Sequence, residues 1–232
     1  MLTLRPAHER GHADHGWLDT HHTFAFGEFF DPAHVRFSDL RVLNEDRVKP
    51  GQGFGTHGHR DMEILTWVLE GALEHQDSLG TKGVIRPGEA QVMSAGTGIR
   101  HSEYNASATE PVHFLQIWIL PEAADLAPRY GQVAFDDARL RNRWGLVASR
   151  DGAEGSVVMM QDMNLRIARL DAGVALSRDL DPSRQGWLQV SKGAVQVNGL
   201  ELQAGDGVAI TGESRLDVKA ANASEVLLFD LR

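Results

Sequence analysis

The chain has 232 residues, enough for one large domain or two small ones, and its 42% hydrophobic and 24% charged content is ordinary for a soluble globular protein. Its 32 acidic and 23 basic side chains leave a net charge of -9, with no Lys/Arg run denser than "RLRNRW" (139–144), so nucleic acid and anionic membranes are not expected partners. It has no cysteine, which excludes disulfides, thiolate zinc sites, iron–sulfur clusters and a cysteine nucleophile.

The N-terminal "MLTLRPAHERGHADHGWLD" has no apolar stretch of the kind a secretory signal needs, and no segment approaches the length of a membrane span. A cytoplasmic location is therefore expected. His8, His12 and His15 have helical spacing, but Gly11 and Gly16 disfavour a helix, so they read as loop residues. Phe24, Phe26, Phe29 and Phe30 read as core aromatics. From residue 51 onward, glycine-rich turns alternate with short β-prone runs such as "EILTWVLEG", "HFLQIWIL", "GWLQVS", "AVQVNGLEL", "DGVAI" and "EVLLFDL". Frequent turns between short strands predict an all-β sandwich or barrel. "EAADLAPRYGQ" (122–132) is the one segment with helical character, for one or two turns ending at Pro128 and Gly131. "RLRNRW" reads as a solvated loop face.

An internal repeat organises these strands. "VLEGALEH" (68–75) parallels "VSKGAVQV" (190–197), and "PGEAQVM" (87–93) parallels "AGDGVAI" (204–210). The matched glycines are Gly71 with Gly193 and Gly88 with Gly205. Two related barrels in tandem follow, with a boundary near residues 120–145.

All 11 histidines lie at or before His113. A lone His-x-His is weak evidence, because chance alone supplies roughly half an occurrence in a chain this rich in histidine. Two such pairs are stronger. Side chains two apart on a strand share a face, about 6.6–7 Å apart along the backbone. His57 with His59, and His101 with Glu103, are therefore two same-side pairs, and adjacent strands would bring all four together. Imidazoles with a carboxylate suit a divalent first-row metal, and three or four protein ligands leave positions open for chemistry. The competing account is scattered surface histidines. Glu63 also falls on the matching face of an extended strand, but about 13 Å from His59 unless the chain turns at Arg60-Asp61. His21, His22, His75 and His113 lack a partner at ligand spacing and read as structural or solvent-facing.

Gly51, His57, His59, Glu63 and Gly71 in their spacing resemble the first cupin motif, and "PGEAQVMSAGTGIRHSEYN" resembles the second in the form used by the pirin family. "ERGHADHGWLDTHHTFAFGEFFDP" and the closing "SEVLLFDL" extend the likeness over nearly the whole chain. The resemblance is to bacterial pirin-like quercetin 2,3-dioxygenases, which are bicupins. It implies two cupin jelly-roll barrels: residues 1–130 holding the metal, and residues 131–232 holding none, with exchange of strands between the two allowed for. Most cupins use the glutamate after His-x-His as a ligand, whereas the pirin pattern uses the one two residues after the third histidine. The implied ligands are thus His57, His59, His101 and Glu103, with Glu103 also the catalytic base and Glu63 a near neighbour. The implied cofactor is one divalent metal, iron first, with nickel, cobalt, manganese, copper or zinc as alternatives. The implied reaction cleaves the heterocycle of flavonols such as quercetin with O2 and releases CO. The family's alternative is a regulatory protein that binds a protein partner through a redox-sensitive metal. Shifting along the repeat puts Asp179, Asp181 and Gln185 at the positions of His57, His59 and Glu63, and Val218 and Ala220 at those of His101 and Glu103. The second barrel is expected to be metal-free.

Overall fold

A computed structural model describes all 232 residues. The chain is almost entirely antiparallel strand, in two compact units. One comprises Gly11–Ala134 and Val157–Gln161, and the other Met1–Arg10, Phe135–Ser156 and Asp162–Arg232. The all-β, two-barrel cupin architecture implied by the sequence is the one the chain adopts.

In the first unit a seven-stranded sheet runs in the order 129–134, 89–94, 63–70, 112–119, 40–48, 18–22 and 11–14. A four-stranded sheet runs 53–59, 99–105, 73–77 and 82–85. Residues of both sheets, among them Val48, Val68, Leu73, Ile85 and Phe114, pack into one buried cluster. Ile64, Met93, Ala95 and Ile99 form a smaller cluster. The alternation that makes Leu73, His75 and Asp77 face inward is legible in the burial of that strand, where every second residue is buried.

The second unit repeats the plan. Its larger sheet contains 2–5, 207–211, 185–192, 224–231, 164–170 and 145–149 in that order, and its four-stranded sheet runs 175–179, 215–220, 194–197 and 200–203. The strand orders match once 63–70 is set on 185–192 and 112–119 on 224–231. The paired glycines also match: φ is 79° at Gly71 and 77° at Gly193, and 91° at Gly88 and 89° at Gly205. Only glycine adopts such angles without strain. "AVQVNGLEL" is a hairpin whose turn, Asn198-Gly199, has φ of 45° and 88°. Positive φ at both positions is what a tight two-residue hairpin turn demands.

Residues 122–132 differ from expectation. They contain no helix: the chain bends through 122–125, Asp125 takes φ 57°, and Arg129–Ala134 is a strand paired with Glu89–Ser94. Pairing on an open sheet edge overrides a short local helical tendency. The α-helix is instead a single turn at Asp137–Leu140.

Candidate metal centre

The four-stranded sheet of the first unit carries the site on its inner face. Gly53–His59 pairs antiparallel with Ile99–Asn105, setting His101 opposite His57 and Ile99 opposite His59. The register shifts between His101 and Glu103, an irregularity of the kind that re-aims side chains near functional sites. Gly53 permits the close approach of the two strands, because a Cβ there would collide with the Glu103 carbonyl oxygen.

His57, His59 and His101 converge. Their ligand atoms lie within 4.8 Å of one another, and His59 Nε2 and His101 Nε2 are 3.0 Å apart. Nitrogens about 2.1 Å from a shared metal are separated by about 3.0–3.4 Å, so the pair already spans a ligand edge. His57 Nδ1 donates to the Gly55 carbonyl at 2.9 Å, which leaves Nε2 as the ring's lone-pair atom. Burial, reinforced by neighbouring imidazoles, pushes His59 down to about 4 and His101 to about 2. Both are therefore neutral at pH 7 and carry lone pairs. Neutral nitrogens facing each other in a half-buried pocket suit a cation better than they suit each other.

Glu103 lies within reach of only part of this cluster. Its Oε2 is 3.9 Å from His101 Nε2, and it groups within 4.8 Å with His101 and His75 rather than with His57 and His59. Gln116 Nε2 donates to both carboxylate oxygens, at 3.0 and 3.1 Å. Burial pushes Glu103 up to about 7 despite those bonds. Glu63 lies elsewhere. It opens the Glu63–Glu70 strand of the other sheet, and its Oε2 accepts from Ser94 Oγ at 2.8 Å and from the Met160 N–H at 3.0 Å. The chain does turn between His59 and Glu63, with Asp61 at φ 47°, but the turn carries Glu63 into the larger sheet.

The centre opens on a cavity of about 630 Å³, within the ~300–1,000 Å³ usual for small-molecule sites. His57, His59, Glu103, Gln116, Asn44 and Asp46 supply its polar lining, and Phe26, Phe29, Phe54 and Trp118 its aromatic lining. Phe26 meets Trp118 edge-on at 5.4 Å, and Trp118 meets His59 edge-on at 4.9 Å. The expectation that the N-terminal phenylalanines are all core therefore divides. Phe24 is buried, Phe26 and Phe29 line the cavity, and Phe30 is exposed. Sequence spacing could not assign them, because they fall in an irregular segment outside the named strands, where Phe26 and Phe29 form an isolated bridge.

Five of the other eight histidines are buried or paired on strands. His12 is in a strand, not a loop, and stacks on His21 of the neighbouring strand at 4.4 Å, where both approach Asp19. His22 Nδ1 meets Asn44 at 2.9 Å, and His113 Nε2 meets Glu45 at 2.9 Å. His75 is fully buried against His101 and Asp77. His75-x-Asp77 has the same two-residue strand spacing as the ligand pairs, so the expectation that His75 lacks a partner at that spacing is corrected; only the contact with His101 crosses to a neighbouring strand.

The model of the family described as "Pirin" matches residues 3–119, and that of the "Quercetinase C-terminal cupin domain" matches residues 146–231. A protein of Escherichia coli K12 named quercetin 2,3-dioxygenase is 51% identical over 231 residues, covering 100% of this chain and 99% of that one. The chain belongs to the pirin family. Among solved structures, the E. coli pirin YhhW superposes with a TM-score of 0.96 at 51% identity, covering 100% of this chain and 98% of that one. The same pirin in complex with nickel(II) gives 0.94 at 51% identity, covering 100% and 99%. A quercetin 2,3-dioxygenase of Acinetobacter baumannii shares the fold at 18% identity, with a TM-score of 0.81 over 99% of this chain and 85% of that one. The chain is thus a pirin-family enzyme, and its chemistry has to be read from the centre on the inner face of the first barrel.

Proposed function

We propose that the chain is a metal-dependent flavonol dioxygenase that opens the heterocycle of quercetin-like substrates with O2 and releases CO. The observation that carries this reading is the convergence of the His57, His59 and His101 imidazoles, with the buried Glu103 beside His101, at one aromatic-walled cavity. The metal would be held by His57, His59, His101 and Glu103, within the first barrel, Gly11–Ala134 with Val157–Gln161 rather than residues 1–130. Iron is the first choice; the nickel(II) complex of the E. coli relative supports a first-row divalent ion, and N/O donors discriminate poorly among such ions. The second barrel would carry none. Support for that comes from Leu216 and Val218, which are buried in an apolar core; the strand pairing sets these two, rather than the Val218 and Ala220 expected from the glycine offset, at the positions of His101 and Glu103.

When bound, the ion supplies Lewis acidity that makes an oxygen ligand easier to deprotonate at neutral pH. Glu103 takes the proton of the flavonol 3-hydroxyl. It is the carboxylate that faces both the cavity and His101, and the paired donors of Gln116 fix its plane. Phe26, Phe29 and Trp118 present flat apolar faces that orient a fused-ring substrate and keep water from the reacting carbon. Both atoms of O2 enter the products, and one ring carbon leaves as CO.

The test is aerobic turnover by protein stripped of metal and then reloaded with iron(II) or nickel(II). Loss of the flavonol absorbance with stoichiometric O2 uptake and CO release only after reloading is the expected result. No flavonol turnover with any divalent ion overturns the proposal.

A further inference from the structure

Leu73–Asp77 pairs with Ile99–Asn105 on the side away from the histidine strand, placing Asp77 opposite His101 and His75 opposite Glu103. His75 and Asp77 both face inward, and neither side chain has any solvent exposure. We infer that Asp77 and His75 fix the tautomer of His101, holding its proton on Nδ1 so that Nε2 offers a lone pair to the metal. This inference rests on His101 being a ligand, as proposed above.

The chain of donors has one consistent sense. Asp77 Oδ1 accepts the backbone N–H groups of Leu79 at 2.9 Å and Thr81 at 3.0 Å, so the carboxylate is locked as an acceptor. Its Oδ2 is 3.1 Å from His75 Nε2, which must then be the N–H of that ring. A neutral imidazole has only one N–H, so His75 Nδ1 is bare. His75 Nδ1 is 3.4 Å from His101 Nδ1, and the only proton available to that contact is one on His101. His101 Nε2 is consequently unprotonated and faces His59 Nε2 at 3.0 Å. The opposite sense would set two bare acceptors, His75 Nε2 and Asp77 Oδ2, against each other in a dry interior. Tyr130 packs on His75 at 5.1 Å and limits its rotation. Asp77 and His75 touch no reacting atom. They are positioning residues, and they act through His101.

Asp77→Asn reverses every link. The amide nitrogen can donate to His75 Nε2, His75 then carries its proton on Nδ1, and His101 is driven to protonate Nε2, the ligand atom. The expected result is a fall in nickel(II) affinity of about 10–100-fold, measured by competition with a chelator, in protein that keeps its near-UV circular dichroism. His75→Leu should lose affinity comparably. His75→Asn should recover part of it, because its amide oxygen lies near the place of Nδ1 and can accept from His101. Nitrogen-15 spectra of histidine-labelled, metal-free wild type should show an N–H at Nδ1 of His101 and at Nε2 of His75. Unchanged affinity in both Asp77→Asn and His75→Leu, or a proton found on His75 Nδ1, overturns the inference. If Asp77→Asn does not fold, the His75 pair and the wild-type spectra decide it. A full equivalent of nickel retained by His101→Ala would instead refute the ligand assignment, which separates the two failures.

Discussion

Glu63 and Glu103 are both buried carboxylates near a His-x-His, and the spacing of residues cannot separate them. The structure separates them by sheet: Glu103 shares a face with His101, while Glu63 is tied to Ser94 and Met160. The ligand pairs were legible because each lies two residues apart on one strand, a period visible in sequence. His75 and Asp77 have that same period, but nothing in sequence shows that their strand lies against Ile99–Asn105, which is what sets them beside His101. Asp46 is a third buried carboxylate, pushed up to about 7 chiefly by burial, against the opposing help of a Thr20 hydrogen bond. An acid whose folded value is raised binds its proton more tightly in the native state. Stability therefore falls as pH rises from about 4 to about 7, by about 1.4 kcal/mol for each pH unit crossed, and the loss is complete above that window. In metal-free protein, Asp46→Asn should flatten this slope and raise stability at pH 8 relative to wild type. Denaturant midpoints at pH 5 and pH 8 check it; equal differences at both pH values would show that Asp46 is not the group responsible.

At the scale of elements, glycines carry the strongest signal. Gly53 is required by the contact of Gly53–His59 with the Glu103 backbone. Gly53→Ala should therefore separate the two ligand strands, costing about 1–3 kcal/mol and weakening metal binding together with stability. Loss of stability without loss of metal would mean that the strands hold their ligands independently. Gly71 and Gly193 combine a positive φ with a carbonyl oxygen, Pro111 or Ala223, where a Cβ would sit. Alanine at either should destabilise by a similar amount, about 1–3 kcal/mol by thermal or denaturant unfolding. Markedly unequal costs would argue against equivalent turns. The segment 122–132 shows the opposite case. Its residues read locally as helix, but the open edge of Glu89–Ser94 recruits Arg129–Ala134 as a strand, and nothing in the segment encodes that partner.

Across the whole molecule, duplication and asymmetry were both legible: the first in matched glycines and strands, the second in histidines confined to the first 113 residues. The interior of each barrel explains the asymmetry physically. The first keeps a cavity of about 630 Å³, lined by aromatic and polar side chains, beside its histidines, whereas the second fills the corresponding space with Val195, Val197, Leu216, Val218 and Ala220. An apolar core of that kind stabilises its barrel and offers no donor to a cation. The shape of the cavity, by contrast, depends on where Phe26, Phe29 and Trp118 settle, which no periodicity encodes. The most direct test of the account is metal content per chain, measured by elemental analysis alongside flavonol turnover, for wild type and His101→Ala purified without chelator. The account predicts one equivalent of a divalent first-row metal and CO-releasing turnover in the wild type, and loss of both in the variant. A full equivalent of metal in His101→Ala, or a fully loaded wild type that leaves flavonols untouched, would contradict it.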